Sequence, residues 1–210
     1  MTDPAEPHEQ PPVRLVLASA SPRRHRLLAE LGLEFDILAA DIDEHRRLDE
    51  PPAAYAERLA IEKAEAVLMR LTDVDGDGGS GRQARRYRVL GADTVVVAPD
   101  GDVLGKPADA DEARQMLHSL SDASHTVFTG VAVAESGRPT RYRVERTVVT
   151  FTQLDDAHID EYIATGEPFD AAGAYAIQGE AGRFVNRIEG SFDNVVGLPM
   201  HQVADLLRRH

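Results

Sequence analysis

Hydrophobic and polar positions along the N-terminal third of the chain predict strands interleaved with helices. A short apolar run at 14–18 predicts a buried strand. Ser21 followed by Pro22 is typical of a helix start, because serine caps the first turn and proline is tolerated at the first helical position. A second strand at 35–39 and a long amphipathic helix at 52–71 follow. This order is typical of an α/β protein.

Alternating positions in the rest of the chain add hairpins to this pattern. Residues 89–98 predict an apolar strand, and the Asp-Gly pair within 99–102 favours a hairpin turn. Asp109 with Glu112 three residues later predicts a helix N-terminus. We therefore expect an α/β fold with a mixed sheet and flanking helices. The other predicted elements are strands at 125–134, 142–151 and 184–188, helices at 156–166 and 199–209, and a Gly/Ala-rich loop at 171–182.

Composition bounds the domain organisation and the class of partner. The 210 residues suffice for one sizeable core, which we place in a single domain at 14–210. Residues 1–13, acidic and rich in proline, predict a disordered tail, and the low-complexity stretch 72–86 predicts a surface insert. A net charge of -13 argues against non-specific binding to nucleic acid or to an anionic membrane. With no signal-like start and no long apolar run, we expect a cytoplasmic protein.

The stretch "LASASPRRHRLL" contains two arginines where positive charge is unfavourable. Arg23 and Arg24 fall in the first turn of the predicted helix, whose unpaired N–H groups already carry partial positive charge. A bound anion, gripped by both arginines, by the helix N-terminus and by the hydroxyl groups of Ser19 and Ser21, would remove the conflict. The alternative is that both arginines point to solvent.

Lysine is rare, which draws attention to the two positions where it occurs. Only Lys63 and Lys106 are lysines among the 23 basic residues. Lys63 interrupts the apolar face of the helix at 52–71, so that its head either lies at the edge of that face or enters a cleft. Lys106 lies in "GKP", a turn with a restricted backbone, where it is either a placed cation or an ordinary exposed lysine.

Asp93 and Gln178 are polar residues in settings that favour a function. Asp93 interrupts the apolar strand "VLGADTVVVA", where a carboxylate requires a polar cavity, a cation, a metal or nearby backbone N–H groups. Gln178 lies in the Gly/Ala-rich loop, where its amide could bind a base edge or stabilise the loop. Cations able to grip phosphates, together with a carboxylate, suggest phosphoanhydride chemistry.

With these segments in place, the chain resembles the Maf family of nucleoside triphosphate pyrophosphatases. The resemblance runs from Leu15 to Leu207 and rests on "LASASPRR", "AIEKA", "LGADTVVV", "LGKP", "HTVFTGVAV", "AGAYAIQG" and "IEGSFDNVVGLP", in that order. It implies two lobes around a deep cleft, an ITPase-like fold, and a possible homodimer. It also implies cleavage of a nucleoside triphosphate between the α and β phosphates, with Mg2+ or Mn2+ as cofactor.

The resemblance assigns roles to matching positions. It implies that Asp93 accepts a proton and shares a divalent metal with Glu44. Ala171 replaces a lysine that is usual in the family, which would reduce the positive charge of the site. The residues that it implies for binding the triphosphate are Ser19, Arg23, Arg24, Lys63 and Lys106, and those for substrate specificity are Thr94 and Gln178.

The amide of Gln178 favours a pyrimidine substrate. A glutamine both donates and accepts hydrogen bonds, which suits the O4 and N3–H edge of uracil or thymine. The sister subfamily, which is similar to 7-methylguanosine triphosphate pyrophosphatases, has a glutamate in this loop. We therefore expect a dTTP and UTP pyrophosphatase that also accepts modified pyrimidines. A 7-methylguanosine triphosphate pyrophosphatase and a non-catalytic, nucleotide-binding regulator of cell division are the alternatives.

Overall fold

The computed structural model describes residues 13–76 and 85–208. Within these ranges the chain forms one seven-stranded mixed sheet with helices packed against it, which confirms the predicted fold class. The strands are β1 (Val13–Leu17), β2 (Asp36–Ile37), β3 (Arg86–Val97), β4 (Val103–Leu104), β5 (Ser124–Glu135), β6 (Arg141–Phe151) and β7 (Val185–Glu189). The helices are α1 (Pro22–Ala29), α2 (Pro52–Gly76), α3 (Ala110–Leu120), α4 (Asp156–Ala164), α5 (Phe192–Val196) and α6 (Met200–Arg208), with 3-10 turns at Glu167–Asp170, Ala172–Ala174 and Glu180–Phe184.

The strand order is β2-β1-β3-β5-β6-β7, with β4 added to the edge of β3. β1 is parallel to β2 and β3, whereas β3, β5, β6 and β7 form antiparallel pairs. The parallel pairs follow because α1 and α2 carry the chain back between β1, β2 and β3, and hairpin turns account for the antiparallel pairs β3–β4 and β5–β6. The Asp-Gly turn is one of these hairpin turns, with Gly101 in the left-handed region at φ 98°.

Neighbouring residues of β3 contribute to two hydrophobic clusters. Leu90 packs with the larger one, whose helical members come from α1, α3, α4, α5 and α6. Val89 packs with the smaller one, under α2. Helix α2 lies so close to the sheet that two strand positions have no room for a side chain. A Cβ added at Gly91 would lie 2.2 Å from the Ala60 carbonyl oxygen, and one added at Gly130 would lie 2.2 Å from the Ala56 carbonyl oxygen. These two glycines therefore set the depth at which α2 packs.

Several boundaries differ from the sequence predictions. Val13, placed by the sequence in the tail, is the first residue of β1, and residues 1–12 lie outside the described residues. Helix α2 continues to Gly76, five residues beyond the predicted end at Leu71, and Arg86 already belongs to β3. Of the predicted insert at 72–86, residues 77–84 lie outside the described ranges.

Two further elements escaped the sequence analysis because they are short. Helix α5 has only five residues, and the Gly/Ala-rich loop contains 3-10 turns rather than irregular backbone throughout. None of the helices in the described ranges is long and apolar enough to span a membrane.

Candidate active site

A gap in the sheet creates the main cleft. On one edge of β3, strand β1 pairs with Arg86–Leu90, and β4 pairs with Val96 and Val97 further along the same strand. Between these two partners the edge of β3 at 91–95 is left open, and a cleft of about 450 Å³ lies there. The open segment includes Asp93 and Thr94, whose side chains point to opposite faces of the sheet and both line the cleft.

Every residue that the sequence analysis singled out for the site lines this one cleft. The two lysines of the chain are both among them, although 43 positions separate Lys63 from Lys106. The structure therefore brings together polar and charged residues from six separate segments. The predicted residues that line the cleft are Ser19, Arg23, Arg24, Glu44, Lys63, Asp93, Thr94, Lys106 and Gln178.

At the deep end of the cleft, which we define as Lys63, Asp93 and Arg24, a lysine and an aspartate are buried together. Lys63 Nζ lies 2.7 Å from Asp93 Oδ1 and 3.0 Å from Glu44 Oε1. The head of Lys63 is thus inside the cleft. Burial raises the pKa of Asp93, although the nearby charges of Lys63 and Arg24 act in the opposite direction. Such a carboxyl group holds a proton more readily than an exposed one.

Arg24 binds three neutral oxygen atoms. Its Nε donates to the Gly197 carbonyl at 2.8 Å, Nη2 donates to Thr94 Oγ1 at 3.0 Å, and Nη1 donates to Ser19 Oγ at 3.4 Å. Gly197 follows the last residue of α5, so the guanidinium group lies at the negative end of a second helix. This contact offsets the unfavourable position of Arg24 in the first turn of α1. Loss of water around the guanidinium lowers the pKa of Arg24.

At the rim of the cleft, which we define as Arg23, Lys106 and Asp170, the groups are more exposed. Lys106 Nζ lies 2.6 Å from Asp170 Oδ1. Arg23 Nη2 donates to the main-chain oxygen of Asp170 at 2.6 Å, and its Nη1 lies 3.8 Å from Asp170 Oδ2. The ammonium group of Lys106 lowers the pKa of Asp170. Sequence reasoning missed Asp170, although it directly precedes the position where Ala171 replaces the usual family lysine.

The loop that carries Glu44 is attached to α2 by residues that the sequence analysis did not assign to the site. Arg58 binds both carboxylate oxygens of Glu50, at 2.7 and 2.9 Å, and donates to the His45 carbonyl at 3.1 Å. Tyr55, which lies on the predicted helix at 52–71, lines the cleft and donates its hydroxyl proton to the Glu44 carbonyl at 2.6 Å. The side chain of Arg58 lowers the pKa of Glu50 to about 2. Helix α2 therefore positions Glu44 as well as Lys63.

The segment that carries Gln178 is anchored in the core and ends at the cleft. Tyr175 is buried and shares a 2.8 Å hydrogen bond with Nε2 of the buried His125. Burial lowers the pKa of His125 to about 4, so this ring is neutral near pH 7. Gln178 itself is exposed at the cleft. Apolar side chains of Leu104, Ile177, Val195 and Val196 line the same cleft, which thus combines an apolar part with a charged part.

The carboxylates of Glu44 and Asp93 form a donor set that fits a divalent cation shared with a substrate. Both contact Lys63 Nζ, so their oxygen atoms face one region of the cleft. Among the described residues, His, Asp and Glu side chains do not cluster in groups of three or more that could hold a metal alone. Mg2+ and Mn2+ prefer oxygen ligands, and Mg2+ usually keeps waters and binds through one or two carboxylates plus substrate phosphates.

The fold and this cleft define an α/β protein in which cations surround two carboxylates at the open edge of a mixed sheet. The chain belongs to the Maf family, since the model of that family, described as "Maf-like protein", matches residues 14–210. It is 50% identical over 199 residues to a dTTP/UTP pyrophosphatase of Anaeromyxobacter dehalogenans, with 93% of each chain covered. It is 51% identical over 195 residues to a dTTP/UTP pyrophosphatase of Moorella thermoacetica, which covers 92% of this chain and 93% of the relative. A solved HAM1 protein from Coxiella burnetii matches 93% of this chain and 98% of its own at 16% identity, with a TM-score of 0.49.

Proposed function

We propose that this protein hydrolyses dTTP and UTP to the nucleoside monophosphate and pyrophosphate. One observation carries the proposal: the buried pair of Lys63 and Asp93 opens onto the cleft that also gathers Arg23, Arg24 and Lys106. This arrangement can bind a polyphosphate and accept a proton beside it. Relatives about half identical to this chain are named dTTP/UTP pyrophosphatases, which supports the same substrates here.

In the proposed reaction a water molecule attacks the α phosphorus and Asp93 takes its proton. Oδ1 of Asp93 is hydrogen-bonded to Lys63, so we assign the proton to Oδ2. The new bond joins the water oxygen to the α phosphorus, and the bond from the α phosphorus to the bridging oxygen breaks. Pyrophosphate then leaves with the bonding electron pair. Arg23 and Lys106 stabilise the charge that develops on it, while Arg24 binds the phosphates throughout the reaction.

We assign the proposed divalent cation, Mg2+ or Mn2+, to Glu44 and Asp93. Such a cation neutralises phosphate charge when bound. Lys63 contacts both carboxylates and holds their oxygen atoms towards the same region, which prepares them as ligands. The assignment is tested by the electron paramagnetic resonance of Mn2+ with a non-hydrolysable UTP analogue. Glu44→Gln is expected to weaken this Mn2+ binding, whereas Glu57→Gln, at a position outside the cleft lining, is expected to leave it unchanged.

We assign the choice of base to Gln178 and the apolar side chains near it. The exposed amide at the cleft has both a donor and an acceptor to offer to the O4 and N3–H edge of uracil or thymine. Gln178→Glu removes the donor, so we expect a lower kcat/KM for UTP and a relative gain for guanine nucleotides. Steady-state rates with both nucleotides measure this shift.

The decisive experiment is a panel of nucleoside triphosphates assayed for pyrophosphate with Mg2+ or Mn2+. We expect dTTP and UTP to give the highest kcat/KM. A preference for 7-methylguanosine triphosphate would instead assign the protein to the alternative substrate. Binding without turnover of any triphosphate would favour a nucleotide-binding regulator and would contradict the enzymatic proposal.

We also propose a homodimer acting in the cytoplasm, where nucleoside triphosphates are abundant. Analytical ultracentrifugation of the full chain tests the assembly, and a mass near 22.9 kDa would contradict the dimer. Cell fractionation tests the compartment.

A further inference from the structure

A chain of hydrogen bonds runs from the cleft into the core through two threonines that face each other across β3 and β5. Thr94 and Thr129 are directly paired in the sheet, and their hydroxyl oxygens lie 3.0 Å apart. Thr129 Oγ1 also lies 2.9 Å from the main-chain oxygen of Asn194, in α5, while Thr94 Oγ1 lies 3.0 Å from Nη2 of Arg24. Thr129 is fully buried.

The direction of every bond in this chain follows from counting protons. The main-chain carbonyl of Asn194 can only accept a hydrogen bond, so Thr129 must donate its single hydroxyl proton to it. The oxygen of Thr129 therefore accepts from Thr94, whose own proton is then used as well. Thr94 in turn accepts from Arg24, which has only donors. The order is Arg24 to Thr94 to Thr129 to Asn194, and each hydroxyl donates once and accepts once.

This arrangement leaves Arg24 different from the other cations of the cleft. Lys63, Lys106 and Arg23 each lie within 4 Å of a carboxylate, whereas the contacts of Arg24 among the described residues are with uncharged oxygens. Three of its five N–H groups are used, so one on Nη1 and one on Nη2 are left for a ligand. Gly197 makes the close approach possible, because its φ is 117° and an added Cβ would lie 3.1 Å from Thr94 Oγ1.

We propose that Thr129 is a positioning residue, which acts through Thr94 to aim the guanidinium of Arg24 at the phosphates of the substrate. This inference rests on the proposed function and deepens it. It also gives Thr94 the role of a support for Arg24, because its hydroxyl oxygen accepts from Arg24 and its proton is donated to Thr129. The sequence analysis placed Thr94 among the specificity positions.

Thr129→Val tests the proposal, because valine keeps the shape of threonine and removes the relay. An Arg24 that is aimed in the free protein binds substrate and transition state alike, so its loss raises KM with little change in kcat. We expect KM for UTP to rise about tenfold or more, the range of a hydrogen bond to a charged group. Thr129→Ser keeps the hydroxyl group and is expected to restore KM to within about twofold.

Thr147→Val is the matched control. Thr147 is also a fully buried threonine that holds the α5 segment, through Ser191 and the Asn194 side chain, but it has no contact with Arg24 or Thr94. Its loss is expected to lower stability and leave KM unchanged. Equal KM values for Thr129→Val and Thr147→Val, or failure of Thr129→Ser to restore KM, would overturn the proposal.

The double variant Thr94→Val with Thr129→Val separates loss of the relay from loss of stability. Two valines facing each other across strands pack well, and removing both partners leaves no stranded hydroxyl proton. We expect the double variant to be more stable than Thr129→Val alone, with the same raised KM. A KM that recovers together with stability would show a structural role and would contradict the relay.

Binding of inorganic pyrophosphate separates failure of this proposal from failure of the proposed function. Isothermal titration calorimetry measures that affinity without any turnover. If the wild-type protein hydrolyses no triphosphate, the enzymatic proposal fails, yet Thr129→Val should still weaken pyrophosphate binding about tenfold relative to Thr147→Val. Equal affinities in the two variants would refute the relay on its own.

Discussion

The deep end and the rim of the cleft each contain a lysine–aspartate ion pair, one of them buried and the other exposed to water. Lys63 and Asp93 lie 2.7 Å apart with 9% and 11% of their side chains exposed, whereas Lys106 and Asp170 lie 2.6 Å apart with 61% and 64% exposed. Distance is therefore not what distinguishes the two pairs. Water screens the charges of the rim pair, so breaking that pair costs little free energy. Breaking the deep pair leaves the remaining partner as an unpaired buried charge. The deep pair is suited to fixed geometry and the rim pair to exchange with a ligand.

Replacing the aspartate of each pair by asparagine is expected to give the largest difference between the two pairs. Asp93→Asn removes the proposed proton acceptor, so we expect kcat for UTP to fall about a thousandfold, within the range for loss of a general base. Asp170→Asn, the matched change at the rim, should leave kcat within about threefold. Pyrophosphate release measures both. A kcat for Asp93→Asn close to that of the wild type would show that another group accepts the proton.

Removing each lysine compares the two pairs in stability. Lys63→Met leaves Asp93 buried without its ammonium partner, and we expect the free energy of unfolding to fall by about 3 kcal/mol. Lys106→Met should change it by less than about 1 kcal/mol. Urea unfolding provides both values. The Lys63→Met deficit should shrink at acid pH, because a protonated Asp93 no longer needs a cation, and a deficit independent of pH would point to packing instead.

The two aspartates are also expected to respond to acid in a fixed order. Burial raises the pKa of Asp93, whereas Lys106 lowers that of Asp170. As pH falls, Asp93 therefore takes up its proton first and activity is lost while the rim pair persists. A pH profile should show kcat/KM falling about tenfold per pH unit on an acid limb above the ordinary range of an aspartate. Asp170→Asn should not move that limb.

The smallest effect is expected from the rim carboxylate acting as a competitor of the substrate. Asp170 contacts both Arg23 and Lys106, so a triphosphate must displace it to reach them. Asp170→Asn weakens this competition, and we expect KM for UTP to fall about two- to fivefold, the worth of an exposed ion pair. The gain should vanish at high salt, which screens the rim. A higher KM would show that Asp170 supports substrate binding.

Residues that contradict their local pattern were among those that could be predicted from the sequence alone. Lys63 interrupts an apolar helix face and Asp93 an apolar strand, and both prove to be buried at the cleft. The same kind of contradiction, positive charge at a helix start, drew attention to Arg23 and Arg24. Each of these signals is local, because burial or a helix dipole penalises the residue type whatever its partner.

The partners of these residues could not be predicted in the same way. The carbonyl of Gly197 lies 173 positions from Arg24 in the chain, and α5 is too short to give a periodic signal. Thr129 looks like any other strand residue until β3 and β5 are placed in register. Asp170 and Arg58 are ordinary charged residues in a chain rich in them. Their importance comes from tertiary contacts that composition and periodicity do not encode.

The close packing of α2 against the sheet gives the site its dimensions. At Gly91 the backbone of the helix takes the place of a side chain, so the spacing between helix and strand is a contact of main chain with main chain. This contact fixes the distance between the backbone of Lys63, on the helix, and that of Asp93, on the strand. The two side chains therefore meet with little freedom to move apart. Gly91 and Gly130 thereby set the dimensions of a site although neither of them lines the cleft.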